Sequence, residues 1–413
     1  MSYTLIAAIA VALVVTLLLV ALLLFVKKKV TPSGTVKIDI NDGSKVLEVK
    51  PGSNLMATLA QENIFLASAC GGKANCGQCK VQVPEGGGEI LPTETGYFTR
   101  RQIKERMRLG CQVKVRDNLK IKVAESALSA RKYQCEVISN RNLATYIKEF
   151  TVRLPEGRGM AFRSGQYIQI DIPAFKVLFK DMEIDPEYRP EWERNGFFNL
   201  ECANAEPTVR AYSMASYPAE GDIIKLNVRI ATPPRGKSVP PGIASSYIFS
   251  RKPGDSVTIS GPYGEFLLPE DDPADAEYIF VGGGAGMAPL RSHIMHLFRT
   301  MRSDRKVTFF YGARSLVEAF YLEDFARLER DFPSFRFHLA LDRPDPAADA
   351  AGVQYTPGFV HQVMYDTYLK DHPAPEDIKY FMCGPPMMVA SVNGLLDSLG
   401  VAPESILYDD FGG

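Results

Sequence analysis

The stretch 70-CGGKANCGQC-79 places three of the chain's seven cysteines within ten residues, interleaved with glycine, and an isolated Cys111 follows in 109-LGCQV-113. Thiols gathered this closely serve either a metal or iron–sulfur site or a disulfide-laced loop. The N-terminus bears on the choice. Residues 5–26, LIAAIAVALVVTLLLVALLLFV, are apolar apart from Thr16, long enough to span a bilayer as one helix, and Lys27, Lys28 and Lys29 follow at once. A secretory signal carries its positive charge ahead of a shorter apolar run and ends in a small-residue cleavage site; here the flanks are reversed. The reading is a retained transmembrane anchor over 1–30, with the lysines on the inner side and the remaining chain in the cytoplasm. That compartment is reducing, which argues against structural disulfides. With no Asp, Glu, Lys or Arg inside it, the anchor alone offers no ion pathway.

At 413 residues the chain is long enough for two or three domains, and a net charge of −1 gives no nucleic-acid signal. Working outward from the cysteines, 35-TVKIDINDGSKVLEVKPG-52 alternates apolar and polar residues around Asn41-Asp42-Gly43, which predicts a hairpin. A short helix over 54–64 and strands at Val81, Val83 and 119–125 complete a small sheet with one helix over 34–127. The arrangement Cys70-x5-Cys76-x2-Cys79 with a distant Cys111 fits four thiolate ligands of a [2Fe–2S] cluster. Gly71, Gly72 and Gly77 allow positive φ, so that successive N–H groups point inward at sulfur. Zinc is the rival metal, but zinc ribbons present two close Cys pairs and only Cys76 and Cys79 form one. Unrelated buried thiols are the bland alternative. The segment resembles the [2Fe–2S] ferredoxin family, which implies a β-grasp fold; its first spacing is one residue longer than the plant-type pattern and nearer the adrenodoxin-like variety.

From 130 to 270 short alternating strands, punctuated by Pro155-Glu156-Gly157 and Pro253-Gly254-Asp255, predict an all-β barrel or sandwich. Within it lies 209-VRAYSMAS-216. Taken singly, Tyr212 reads as a core aromatic and Arg210 as a surface charge. The ordered series 163-RSGQYIQI-170, Arg210-x-Tyr212-Ser213, 241-PGIASSYIF-249, 254-GDSVTISGPYGEF-266 and a glycine loop resembles the ferredoxin–NADP reductase superfamily over 130–413. In that superfamily an antiparallel β-barrel binds FAD ahead of a nicotinamide domain. The resemblance implies that Arg210 pairs with the flavin pyrophosphate, Tyr212 lies along the isoalloxazine and ribityl chain, and Ser213 hydrogen-bonds near N5. It also places Gly242, Ser245 and Ser246 at the start of a short helix facing the same pyrophosphate. Residues 173–207, carrying the single tryptophan Trp192, read as a long irregular insertion, either a docking surface or a decoration without a role.

Beyond 274 the pattern becomes β–α alternation, hence a doubly wound α/β sheet: strand 277–282, a glycine loop, a helix from Pro289 to about Arg302, and strand 306–314. Gly282, Gly283, Gly284 and Gly286 occupy the strand-to-helix turn where a nucleotide pyrophosphate lies. By the same resemblance 379-KYFMCGPPMM-388 faces the nicotinamide, with Cys383 close to the hydride path beside Gly384 and Pro385, and Phe411 shields the flavin face. No His lies near Cys383 in sequence, so nucleophilic thiol chemistry is not expected. Arg314 and Ser315 would suit a 2′-phosphate, whereas Glu318 and Glu323 oppose one, and the reading is NADH. Cys135 and Cys202 read as ordinary buried thiols.

The fold class is therefore multidomain α+β: a transmembrane anchor (1–30), a [2Fe–2S] ferredoxin-like domain (34–127), an FAD-binding barrel (130–270) and an NADH-binding domain (274–413). This order resembles the F-subunit family of the sodium-translocating NADH:quinone oxidoreductases. That resemblance implies an enzyme subunit passing a hydride from NADH to FAD and single electrons through [2Fe–2S] to partner membrane subunits, in a bacterial inner membrane, with sodium transport and ubiquinone reduction carried out by those partners. The soluble reductase component of aromatic or methane monooxygenases shares the three modules but lacks an anchor. An electron-carrier or assembly module without NADH oxidation is opposed by the glycine loop and the Cys383 segment.

Overall fold

The alternation around Asn41-Asp42-Gly43 produces the predicted hairpin, β1 (Val36–Ile40) against β2 (Lys45–Val49), with Ile38, Ile40, Leu47 and Val49 turned inward. In the computed structural model the described residues are 11–22, 34–68, 70–234, 236–237, 239–269 and 271–409. Residues 11–22 are helical with exposed side chains. No helix of the described residues is long and apolar enough to cross a membrane. The rest of the anchor predicted over 1–30, including Lys27–Lys29, lies outside them, as does Phe411.

The chain divides into two compact units: residues up to Leu66 with Gly72–Leu128, and Ala67–Gly71 with the chain from Ser129 onward. In the first, Asn54 caps α1 (Leu55–Gln61) by accepting the Ala57 N–H at 2.8 Å, satisfying a donor that the first turn leaves free. The helix buries Leu55 and Leu59 against the sheet, each about 1.5–3 kcal/mol of apolar burial. β3 (Lys80–Glu85), β4 (Met107–Leu109) and β5 (Leu119–Lys122) complete a five-stranded sheet of order β2-β1-β5-β3-β4. β1 and β5 are parallel and the other pairs antiparallel, the β-grasp arrangement.

The second unit opens with β6 (Arg131–Ala144) and β7 (Ile147–Arg153), followed by β8 (Tyr167–Ile172), β9 (Phe175–Leu178), β10 (Glu201–Asn204), β11 (Thr208–Ser213), β12 (Ile223–Arg229) and β13 (Ser256–Tyr263). Six of these form one antiparallel sheet of order β11-β8-β13-β6-β7-β12, and a bridge from Met214 to Leu226 joins its two ends into a barrel. The 173–207 insertion is ordered rather than irregular. β9 pairs with β10, and the short helix Arg189–Arg194 sinks Trp192 completely into the barrel core, where its indole N–H donates to the Thr145 carbonyl at 2.7 Å. A buried indole with its polar end satisfied is a packing anchor, so this segment belongs to the barrel's core.

The remaining strands, β14 (Tyr278–Gly283), β15 (Val307–Ala313), β16 (Phe335–Leu341), β17 (Thr356–Pro357), β18 (Lys379–Cys383) and β19 (Ile406–Asp409), make an all-parallel sheet of order β17-β16-β15-β14-β18-β19. β14 is buried along its whole length, as a strand covered on both faces must be. The helix after the glycine loop begins at Met287, two residues before the expected Pro289, and its regular part ends at Met295 before a π-turn over His296–Thr300. Pro289 is tolerated because the first turn needs no N–H from it. The C-terminal ends of β14, β15, β18 and β19 share one edge, which is where open parallel sheets bind ligands.

Candidate functional site

In the cysteine loop, Gly71, Gly72 and Gly77 all adopt positive φ (+66°, +85°, +66°), and Ala74 joins them at +59°. The conformation has the expected effect on donors: the Ala74 N–H bonds the Cys111 sulfur. The Cys79 thiol also donates to Cys111 Sγ, and chiefly for that reason the Cys111 thiol is held down at about 6 while the same bond and burial push Cys79 up. Cys76 lies within electrostatic range of this pair. Among the described residues no three His, Cys, Asp or Glu side chains converge as a shell around one ion. The contact between Cys79 and Cys111 fits two thiolates that share one metal ion. Cys70 is buried and falls in the Ala67–Gly71 stretch that groups with the second unit. Tyr97, which the sequence reading missed, covers the loop: its ring occupies the place of a Gly77 Cβ, 2.4 Å from Cδ1, and its hydroxyl donates to the Ala74 carbonyl at 3.0 Å.

Arg210 lies half-buried on β11, with Nη1 bonded to Thr208 Oγ1 at 3.0 Å and the Val209 carbonyl at 2.8 Å and no carboxylate partner among the described residues. A guanidinium held this way without a counter-charge fits a diphosphate. Tyr212 packs its ring against the barrel core, and burial raises its phenol well above the ordinary range. Gly242 caps the helix Ile243–Phe249; a Cβ there would stand 2.7 Å from the Ala231 Cβ. Ser245 is committed to that same turn, donating to the Gly242 carbonyl at 3.2 Å and accepting the Ala231 N–H at 3.1 Å. The Ser246 hydroxyl, by contrast, is buried without an oxygen or nitrogen partner, the Cys202 sulfur being its polar neighbour. A buried hydroxyl with no oxygen or nitrogen partner is a group that a polar ligand can satisfy.

The glycine loop and the Cys-Gly-Pro segment meet across the β14–β18 pairing. A Cβ on Gly286 would fall 2.1 Å from the Cys383 carbonyl oxygen, and one on Gly384 would fall 2.5 Å from Met388 Cε and 3.2 Å from the Gly283 nitrogen. Gly286 admits no side chain because the space belongs to backbone, whereas at Gly384 the nearest atoms are the end of the Met388 side chain. Cys383 itself is fully buried within the apolar cluster of the sheet. Burial raises Cys135 to about 12 and raises Cys202, which agrees with inert thiols. The Glu318 carboxylate accepts from Thr145 Oγ1 at 2.5 Å, so it is engaged on the barrel. β19 delivers a residue passed over in the C-terminal run LYDDFGG: Asp409 Oδ2 accepts from Ser213 Oγ at 2.6 Å. The Ser213 proton is thereby directed to a carboxylate, leaving that oxygen's lone pairs to face any other partner.

Residues 38–116 match the 2Fe-2S iron-sulfur cluster binding domain family, 196–267 the oxidoreductase FAD-binding domain family and 280–394 the oxidoreductase NAD-binding domain family. The chain therefore combines [2Fe–2S], FAD and NADH domains. Among solved structures, the cytochrome P450 reductase GcoB of Amycolatopsis is similar over 91% of this chain and 99% of its own (TM-score 0.63, 23% identity). The ferredoxin reductase in carbazole 1,9a-dioxygenase is similar over 92% and 98% (TM-score 0.57, 22% identity). At such identity both show the fold alone. Two curated proteins, named as the F subunit of Na(+)-translocating NADH-quinone reductase in Idiomarina loihiensis and in Klebsiella pneumoniae, are each 52% identical over 97% of this chain and 97% of their own. A third of that name, from Methylococcus capsulatus, is 51% identical over 96% of each. With cysteine loop, flavin-type barrel and nucleotide sheet in that order and identity near half along almost the whole length, the chain belongs to the F-subunit family of the Na(+)-translocating NADH-quinone reductases.

Proposed function

We propose that this chain is the NADH-oxidising subunit of a sodium-translocating NADH:quinone reductase of the bacterial inner membrane, tethered by one N-terminal helix and working with partner membrane subunits. The observation that carries the reading is identity near 50% over 96–97% of the chain to proteins of that name, with all three cofactor domains matched. When bound, the flavin accepts a hydride from NADH and releases electrons singly to the iron–sulfur cluster. The chain's own residues bind and orient. Arg210 offers its guanidinium to the flavin diphosphate with Gly242 and Ser246 shaping the same turn, Tyr212 supplies a plane for the ring system, and Ser213, fixed by Asp409, presents its oxygen at the ring edge. Gly282, Gly283, Gly284 and Gly286 leave room for the dinucleotide diphosphate, and Cys383, Gly384 and Pro385 wall the nicotinamide side. On resemblance alone, Phe411 is assigned to shield the flavin face. Cys70, Cys76, Cys79 and Cys111 hold the cluster, with Ala74 and its glycine neighbours donating N–H groups to sulfur. Residues 5–26, free of charged groups, tether the chain while leaving ion movement to the partners.

The test is an anaerobic titration of the purified chain with NADH, followed by optical and electron paramagnetic resonance spectra. The expected outcome is bleaching of the flavin band with a reduced [2Fe–2S] signal that disappears in Cys70→Ala. Bleaching with zinc in place of iron would remove the electron exit, and no bleaching at all would remove the NADH reading.

A further inference from the structure

Three consecutive residues of the helix Met287–Met295 are turned onto the flavin-type barrel. Arg291 Nη1 donates to the Ala215 carbonyl at 2.8 Å, Ser292 Oγ donates to the Ser216 carbonyl at 2.8 Å, and His293 Nδ1 lies 3.1 Å from Ser164 Oγ. All three are buried, with exposures of 6%, 0% and 0%. Their helix springs from the glycine loop on the nicotinamide side, while Ala215 and Ser216 lie two and three residues after Ser213 on the flavin side. A single helical turn thus ties the two halves of the site together. Arg291 spans them a second time, reaching Glu220 of the barrel at 3.5 Å and Asp324 of the nucleotide domain at 3.2 Å, and lying over the Tyr321 ring at 4.9 Å. Tyr321 adopts a left-handed φ of +61°, and its hydroxyl stands 2.6 Å from Glu149 Oε2 and 3.0 Å from Asn227 Oδ1 on the barrel. Apolar side chains would bury this interface at lower electrostatic cost. Bonds to backbone carbonyls are directional, and what they add is register.

We propose that Arg291 and Ser292 are positioning residues for hydride transfer: through the carbonyls of Ala215 and Ser216 they set the distance between the glycine loop Gly282–Gly286 and the Arg210–Ser213 strand end. The inference rests on the reading that NADH reduces a flavin in this unit. Its leverage comes from the steepness of transfer with geometry, where a misplacement of about 1 Å costs on the order of a hundredfold.

The test compares the full chain with Ser292→Ala, Arg291→Met and Arg291→Lys. Three quantities are read: amide hydrogen exchange over 209–217 and 284–295, the single-turnover rate of flavin bleaching at saturating NADH, and the deuterium isotope effect with NADH labelled at nicotinamide C4. In Arg291→Met both segments should exchange faster, bleaching should slow by roughly ten- to a hundredfold and the isotope effect should rise. Flavin content and NADH dissociation constant should stay near those of the parent, and Arg291→Lys should recover part of the rate. Ser292→Ala, which removes one hydroxyl, should show the same pattern more weakly, and it decides the matter should Arg291→Met fail to fold. Faster exchange with parental bleaching and isotope effect would make these residues merely structural and overturn the inference. A parent chain that NADH cannot bleach would overturn the functional reading itself, a result visible before any variant is made.

Discussion

Glu94 and Arg108 form a completely buried ion pair in the cysteine-loop unit, with side-chain exposures of 0% and 6%. The Glu94 carboxylate takes Arg108 Nη2 at 2.8 Å and Nε at 3.1 Å, the Leu109 N–H at 2.7 Å and the Leu91 N–H at 3.0 Å. Arg108 also donates to the carbonyls of Gly87 and Gly88. Glu94→Ala leaves a guanidinium in the interior with carbonyl partners alone and strands two backbone donors, which is expected to cost about 3–5 kcal/mol. At about 1.4 kcal/mol per decade that is a rise of roughly a hundred- to several-thousandfold in the opening equilibrium. Native-state amide exchange over 107–123, with the Leu109 amide as the nearest reporter, measures it within the intact chain. Arg108→Met, which strands the carboxylate instead, should cost a similar amount. The double variant Glu94→Leu with Arg108→Met should cost clearly less than the two single losses added, because no unpaired charge remains. Exchange in Glu94→Ala within about threefold of the parent would refute the reasoning, since it would mean that Arg108 finds adequate solvation without its partner.

His293 is fully buried and burial, aided by nearby His296, holds its imidazole down at about 3. The unfolded chain therefore takes up a proton near pH 6.5 that the folded chain refuses, and stability falls as pH drops below that value, by about 2 kcal/mol between pH 6.5 and 5. His293→Gln should flatten that part of the pH profile of the unfolding midpoint. Lys148 is buried with its ammonium bonded to the Glu183 carbonyl, and burial brings it down to about 8. The penalty for burying its charge is full below pH 8 and is relieved as pH rises toward 10.5; it amounts to about 3 kcal/mol, of which an exposed Glu183 carbonyl would return about 1. Lys148→Met should thus stabilise the second unit by about 2 kcal/mol at pH 7 in urea unfolding, and a loss of stability would show that the ammonium organises the insertion. Because Trp192 is the chain's single tryptophan and is fully buried, fluorescence excited at the red edge, where the 18 tyrosines do not absorb, reports on the 173–207 segment. Its emission should be blue-shifted and resistant to iodide in the native protein, and ready quenching would contradict a packed insertion.

Spacing and alternation made much of this legible. The hairpin around Gly43, the barrel strands and the β–α alternation each follow from local periodicity, and the cysteine and glycine loops from residue types that few other structures require. What the sequence hid has a common physical character. Tyr97 reaches back across β3 to cover Gly77, Asp409 meets Ser213 across most of the second unit, and Glu94 finds Arg108 from a separate loop. None of these pairs lies at helical or strand spacing, so no window of sequence contains the signal. The insertion failed for a different reason: its hydrophobic residues, Phe179, Met182, Ile184, Tyr188 and Trp192, follow no period because they fill a pre-existing core from a short helix and turns.

The buried polar groups fall in a pattern that stability alone does not explain. Most of the core is apolar, and a buried charge or hydroxyl costs free energy that an apolar residue of the same volume would not. Yet Glu94 and Arg108 fix Leu109, two positions before Cys111; Asp409 fixes Ser213; and Arg291 and Ser292 fix the carbonyls just beyond it. Each of these groups therefore acts within a few residues of a side chain assigned to a cofactor, whereas Lys148 bonds the Glu183 carbonyl of the insertion instead. Apolar packing tolerates small slips of one surface over another, whereas a charge-assisted hydrogen bond loses its strength over a few tenths of an ångström. A chain that must seat a cluster and keep a flavin and a nicotinamide at a fixed separation gains more from that intolerance than it loses in stability, and these polar groups mark where the tolerance is smallest.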